Sequence, residues 1–460
     1  MLHLFSPRKV ISLLGLLLAT RLLAAEAPPR EWIDPDTGHR VVRLSDEPGT
    51  ASLYFHQNAY SPDGKKIVVT THEGIATIDL ATRAIDRVVT GDVRVIVVGR
   101  KSGDVYYSQL KDGKPWIFAT NLTTKATRTI AVVPRGGVSS LNADETLMLG
   151  SFSEEPDRVW QRASSAATAP KGPSMANTSA GQPAAGGAKP TFQAGYEAKW
   201  PDGTPMNFAD AKEFRMHEQL AHVHAGAPRS LFTLNTATGE VKVIHQETEW
   251  LGHLQFSPTD PTLIMFCHEG PWHEVDRLWT IRTDGTGLTK VHTRTMNMEI
   301  WGHEFFGADG KTIWYDLQTP RGEVFWIGGY DVATGRRTQY ALERNEWSVH
   351  FNVSPDGTLF AGDGGDSEMV AHAPDGKWIY LFRPRGVPDV AGIKAPNSEG
   401  LIHPGRFVAE RLVNMSTHDY RLEPNVTFSP DQKWIVFRSN MHGATHVYAV
   451  EIAKAKESGR

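Results

Sequence analysis

The sequence predicts an all-β protein, a seven-bladed β-propeller in which an N-terminal strand completes the last blade. Three observations carry that expectation. A turn signal recurs along the chain, an apolar strand follows each copy, and a second strand ending in a polar hairpin follows that. Strand-turn-strand units repeating every 45 or so residues, at roughly 45 to 50, are the signature of propeller blades.

The turn signal is SPDG at Ser61–Gly64 and again at Ser354–Gly357, with degenerate copies NADE at Asn142, SPTD at Ser257, GADG at Gly307 and SPDQ at Ser429. The strands after it are KKIVVT, TLMLGSF, TLIMFC, KTIWYD, TLFAGD and KWIVFRS. The second strands with their hairpins are IATIDLATRA, IFATNLTTKA, LFTLNTATGE, LWTIRTDGTG, WIGGYDVATG and HVYAVEIAKA. The second unit carries GDVYYSQLKDGKPWIFATN in place of a clear SPDG, and the sixth is stretched by HAPDGKWIYLF, so an eight-bladed closure is the alternative count. The last unit supplies three strands, and HRVVRLS, His39 to Ser45, has no blade of its own. It is expected to join that last blade and remove an open sheet edge.

Residues 1–26 are laid out as a secretory signal peptide: Arg8 and Lys9, the apolar run VISLLGLLLA, then small residues around Ala24, Ala25 and Ala27. The run is shorter than the roughly 20 apolar residues that span a bilayer. The expectation is an exported protein, periplasmic or secreted, with no membrane span after cleavage. Residues 27–460 then form one domain. Its lone Cys267 excludes an intramolecular disulfide framework, so the core must hold it. A net charge of −4 gives no basic surplus, which argues against a nucleic-acid partner. Oligomeric state leaves no mark on the sequence.

One segment breaks the repeat. Ser164 to Lys189 is an Ala/Ser/Pro/Gly tract with too little apolar surface to order itself, so an insertion is expected at about 160–195. The more regular NFADAKEFRMHEQLAHVHAG after it suits a helix. Its His217, His222 and His224 read as solvated helix-face residues ahead of metal ligands.

The repeat also aligns side chains. Four residues before the turn stand Gln57, His253, His303, His350 and Asn425, each a polar, metal-competent type at one register of the innermost strand. Imidazole, amide and carboxylate donors suit manganese, calcium or a similar divalent ion, and Glu423, on the same strand face as Asn425, supplies charge. The metal set expected is therefore His303, Glu423, Asn425, His253 and His350. The stretch LIMFCHEGPWHEVDRLWTI places a polar loop beside the channel mouth, with His268 pointing to the mouth and Cys267 to the opposite face. Trp272 is a candidate wall for a sugar ring, with packing in the loop as the other reading.

At these residues the chain resembles the oligogalacturonate lyase family. The resemblance runs through WLGHLQFSPTDPTLIMFCHEGP, VDRLWTI, GHEFF, SVHFNVSPDGTLFAGDGGD and EPNVTFSPD, most of the chain after the signal segment, with the insertion outside it. It implies a periplasmic seven-bladed propeller that splits short pectin fragments with a divalent metal, usually manganese. It implies His268 as the base and His303 as a metal ligand. The family's remaining ligands are a Gln and a His-Pro-His segment. Here the glutamine position falls at Tyr420 and the segment is Glu423-Pro424-Asn425, a set richer in oxygen.

The chemistry implied is β-elimination from an acidic oligosaccharide. A base takes the C5 proton beside the uronate carboxylate, and the glycosidic oxygen leaves C4. A cation on the carboxylate contributes several kcal/mol and a positioned imidazole roughly 10²–10⁴-fold. Arg277 is the candidate carboxylate clamp, with a surface salt bridge to Glu274 or Asp276 as its other reading. Two further classes compete: a non-catalytic TolB-like propeller that binds partners, and another carbohydrate-active enzyme on the same scaffold.

Overall fold

Short runs rich in Val, Ile and Thr, buried on both faces, make strands such as Lys66–Thr71 and Gly74–Asp79, and these pair as an antiparallel hairpin. The computed structural model describes residues 28–133, 135–154, 198–206, 208–366, 371, 373–388 and 396–455. The signal segment and the insertion expected at about 160–195 lie outside the described residues. Among the described residues the strands form six hydrogen-bonded sheets, in an all-β, propeller-like arrangement.

Four of the sheets are four-stranded meanders, laid out one after another from Ala51 to Lys290. The next is eight-stranded. It consists of two such meanders joined edge to edge where Arg337–Ala341 pairs in parallel with His403–Asn414. The last sheet holds Thr427–Phe428, Trp434–Ser439 and His446–Lys454, then His39–Arg43 and Glu31–Ile33. The pairing expected of HRVVRLS is present: His39–Arg43 runs antiparallel to His446–Lys454, with Val41 opposite Val450.

The core lies between neighbouring sheets. Val68, Ile75, Val95, Val105 and Phe118 form one apolar layer shared by two adjacent meanders. Phe55, Phe305, Trp347, Phe351 and Phe382 form another. Each large side chain buried in this way contributes about 1.5–3 kcal/mol, so the sheets lock one another in place.

Two features aim residues at the centre. The innermost strands Leu251–Phe256 and Ile300–Phe306 each carry a bulge, between Gly252 and Gln255 and between Gly302 and Phe305. Within the bulges His253 and His303 adopt left-handed backbone, φ +46° and +45°, and Asn425 does the same at φ +55°. A bulge re-aims the side chain it carries, and such conformations persist only where the surroundings over-determine them. The second feature is the helix α1, Phe208–Ala225, where a helix was expected. Its Ala211, Gln219, Leu220 and Val223 are buried at helical spacing, and Lys212 heads the same face. Arg321 and His273 pair with Glu213, and His217 with Glu274, pinning α1 to the loops of the neighbouring sheets.

Candidate metal and substrate site

His303 and His350 meet at the centre, their ring centroids 4.7 Å apart. Each imidazole is held from behind by an acid of its own meander, Asp316 on the second strand and Asp363 just past the end of it. His303 Nδ1 lies 3.2 Å from Asp316 and His350 Nδ1 lies 2.8 Å from Asp363. A carboxylate at Nδ1 fixes the ring and presents Nε2, the arrangement usual behind metal-bound histidine. His350 Nε2 is 3.2 Å from the Tyr54 hydroxyl and 3.7 Å from Glu423. Burial alone would lower the His350 pKa, but Asp363 and Glu423 outweigh it and raise it. Burial would raise the Glu423 carboxyl, and His350, His303 and Lys212 outweigh that and lower it.

Asn425, expected as a ligand, is otherwise engaged. Its side-chain oxygen accepts from the Phe55 amide at 3.2 Å, and its amide nitrogen donates to the Glu423 carbonyl at 3.0 Å. Left-handed backbone turns it toward the chain, where it fixes Glu423. Arg438 donates to that same carbonyl at 2.8 Å. Gln57 is likewise spent on backbone, accepting from Tyr54 and donating to Ile96.

His253 occupies the same register but belongs to a second cluster. Its Nε2 lies 3.1 Å from Glu269 and its Nδ1 3.1 Å from Glu304. Desolvation would depress its pKa, but Glu304 and Glu269 overcome it and push it up to about 10. It is an imidazolium and stands outside the His303–His350–Glu423 set. Both acids sit well below the ordinary carboxylate range: burial opposes this, and Arg277 and His253 win.

Arg277 sits between those acids. Its guanidinium reaches Glu269 at 3.1 Å and Glu304 at 3.4 Å, and stacks on Trp272 with 4.8 Å to the ring. The partners weighed for it on the surface, Glu274 and Asp276, are not these. It is fully buried, so it acts within the protein and is no exposed clamp for a substrate carboxylate. Trp272 packs edge-on against His303 at 5.1 Å, over Gly302, where a Cβ would sit 2.6 Å from the indole. The tryptophan therefore walls the centre while remaining partly exposed.

The expected sides of Cys267 and His268 are reversed. Alternation along Leu263–His268 sends the Cys267 sulfur to the inner cluster, 3.6 Å from Arg277. His268 points the other way. Its Nε2 is 2.8 Å from Glu247, its ring lies 5.1 Å from Trp279, and it lines a pocket of about 510 Å³ with His217, His224, Glu249 and Arg294. That pocket lies under α1. His217 and His224, read as solvated, are exposed and paired with Glu274 and Glu249.

Several residues at the centre escaped sequence reasoning: Asp316, Asp363, Glu269, Glu304, Tyr54, His56 and Lys212. Burial and the charge on His253 bring His56 down to about 3, a neutral imidazole. Burial lowers the Lys212 ammonium, with Glu423 and Glu269 opposing and Arg277 assisting. A signal for the two aspartates existed, because each follows its histidine by 13 residues.

A family model described as oligogalacturonate lyase matches residues 191–456. The chain belongs to the oligogalacturonate lyase family. An oligogalacturonide lyase of Pectobacterium atrosepticum is 30% identical over 234 residues, 48% of this chain and 55% of that protein. An oligogalacturonate lyase of Dickeya dadantii is 28% identical over 229 residues, with the same coverage of 48% and 55%. The chain thus spans about half the length of the curated relatives it matches. Among solved structures, an oligogalacturonate lyase in complex with manganese superposes with a TM-score of 0.65 at 23% identity, covering 92% of this chain and 96% of that one. An oligogalacturonate lyase from Vibrio parahaemolyticus gives 0.66 at 20% identity with the same coverage. At these identities the structural likeness concerns the fold.

His303, His350 and Glu423 fit a divalent ion: two imidazoles backed by carboxylates and one carboxylate of their own make a nitrogen–oxygen donor set of the manganese class. His253 and Asn425 fall outside that set for the reasons above.

Proposed function

We propose that this chain is a metal-dependent lyase that cleaves oligogalacturonate or a related uronate oligosaccharide by β-elimination. The observation that carries the reading is the pair of aspartate-backed imidazoles converging with Glu423 in a member of this family. His303, His350 and Glu423 would hold the ion. Bound there, a divalent cation would draw charge from the uronate carboxylate and acidify the C5 proton, several kcal/mol of stabilisation.

The protein's own groups do the rest of the positioning. Asp316 and Asp363 keep the two imidazoles aimed, and Asn425 and Arg438 hold the backbone of Glu423. Trp272 offers a ring face at the edge of the site. Lys212, on the inner face of α1, offers an ammonium to a further carboxylate of the acidic chain. His268 is the base that the family resemblance implies, and Glu247 would orient it. The geometry supports that role least, because His268 lines the pocket under α1 on the far side of its strand from Cys267. An oligosaccharide reaching it would extend from the centre past Trp272 into that pocket.

The same reading takes the sheets as seven blades, the eight-stranded sheet counting as two, with His39–Arg43 closing the ring. It takes the protein as exported, on the strength of the N-terminal segment.

The test is incubation with oligogalacturonates and manganese or calcium, following ultraviolet absorbance from the new C4=C5 double bond. Signal that chelation abolishes and metal restores is the expected result. No signal with any of several uronates, together with no bound metal by elemental analysis, would overturn the reading. His268→Ala then separates the two roles: a base loses kcat with KM kept, whereas a contact in the pocket raises KM.

A further inference from the structure

Cys267 is the only cysteine of the chain, and its sulfur faces a second set of metal-competent atoms. Ligand atoms of His253, Cys267 and Glu269 all lie within 4.8 Å of one another. Local structure assembles them. The bulge at His253 turns its ring inward, and Gly252 stands opposite Cys267 in the strand register. A Cβ at Gly252 would sit 2.6 Å from Glu269 Cγ, so the glycine makes the room in which that acid reaches the cluster.

We propose that His253, Cys267 and Glu269 form a binding site for a thiophilic divalent cation of the zinc class, separate from the set at His303, His350 and Glu423. Zinc takes nitrogen, sulfur and oxygen ligands, and its catalytic sites combine three protein ligands with a fourth position left open. The supporting shell is already in place. Glu304 lies 3.1 Å from His253 Nδ1, so the cation would take the place of the contact between His253 Nε2 and Glu269. Arg277 bridges Glu269 and Glu304, holding both acids before any cation arrives.

Binding releases the protons its ligands carry, and Arg277 remains paired with Glu269 and Glu304. Cys267 is fully buried, whereas the His253 side chain is 27% exposed, so entry is from the His253 side. Sulfur selects against a hard ion such as manganese, and the two centres sort cations by softness. The proposal does not depend on the function proposed above.

Cobalt(II) is the probe. Titrated into the full-length metal-free protein, it is expected to produce a thiolate-to-cobalt charge-transfer band in the near ultraviolet at one equivalent, a band that zinc then erases. With a single cysteine in the chain, such a band belongs to Cys267. Cys267→Ser is expected to lose the band and weaken zinc binding at least tenfold, with manganese binding unchanged. His253→Gln, on the exposed edge of the cluster, is expected to weaken zinc equally and serves if the buried cysteine variant fails to fold. Absence of the band in the wild-type protein at saturating cobalt, or unchanged zinc affinity in either variant, would overturn the proposal. Failure of manganese to bind at His303 would leave the band intact, so the two readings fail separately.

Discussion

Replacing Arg277 with methionine should destabilise the protein through its charges more than through its volume. Methionine fills most of the space of the stem and keeps apolar contact with Trp272, whose ring lies 4.8 Å from the guanidinium. It leaves Glu269 and Glu304 facing each other with His253 as the one cation that contacts both, and Glu304 is fully buried. Breaking a buried ion pair by removing one partner costs about 3–5 kcal/mol. With unfolding entropy of about 2.1 cal/mol/K per residue, a chain of 460 residues loses about 3–5 °C of Tm. The assay is calorimetric or circular-dichroism melting of the single variant beside Arg277→Met/Glu304→Gln. Because glutamine removes the carboxylate left uncompensated, the double variant should recover a good part of the loss. A single variant within 1 °C of wild type, or a double variant whose losses add, would refute the claim that Arg277 neutralises these acids.

Asp316→Asn should lower manganese affinity about 10–100-fold by isothermal calorimetry while leaving melting within a few degrees, as expected of a group that orients a ligand. Asn425→Ala should cost about 1–3 kcal/mol by denaturant unfolding, since it strands the Phe55 amide and keeps a left-handed φ, with manganese affinity unchanged; a tenfold fall in affinity would restore it as a ligand. The His253 pair is pH-dependent in a fixed sense. The group titrates at about 10 when folded against 6.5 when free, so its contribution is complete below about 6.5 and vanishes as pH rises through 10. Melting followed from pH 6 to pH 10 should fall more steeply in wild type than in His253→Gln. Gly302→Ala should push Trp272 off the centre, visible as a change in tryptophan fluorescence with a loss of about 1–3 kcal/mol.

How much of this was legible in the sequence follows from what a repeat encodes. Turn, strand and hairpin recur with enough regularity that the meanders, and the pairing of His39–Arg43 with His446–Lys454, could be read from spacing alone. Depth at the centre was legible for the same reason: His253, His303, His350 and Asn425 do share a register. Direction was not. Simple alternation put His268 inward and Cys267 outward, and it failed because it says which residues share a face and leaves open which face turns to the centre. The aspartates behind the histidines were within reach, because Asp316 and Asp363 repeat an offset of 13 residues that no search for single motifs would expose. The pairing of Arg277 with Glu304 was out of reach, since that acid lies on the next sheet.

The same register therefore produced three different electrostatic outcomes, and the neighbours decided among them. His303 and His350 each meet one acid at Nδ1, which orients the ring and leaves Nε2 to face the other donors. His253 meets an acid at both nitrogens, Glu304 and Glu269, which makes it a cation and hands it to Arg277's cluster. Asn425, with no charge to offer, is absorbed by backbone. The strand register shows the difference: the place that Asp316 holds opposite Gly302 is held here by Cys267 opposite Gly252. His253 thus lacks an acid at the place from which Asp316 backs His303. With a thiol in that place, this meander draws its acids from the loop, Glu269, and from the neighbouring sheet, Glu304.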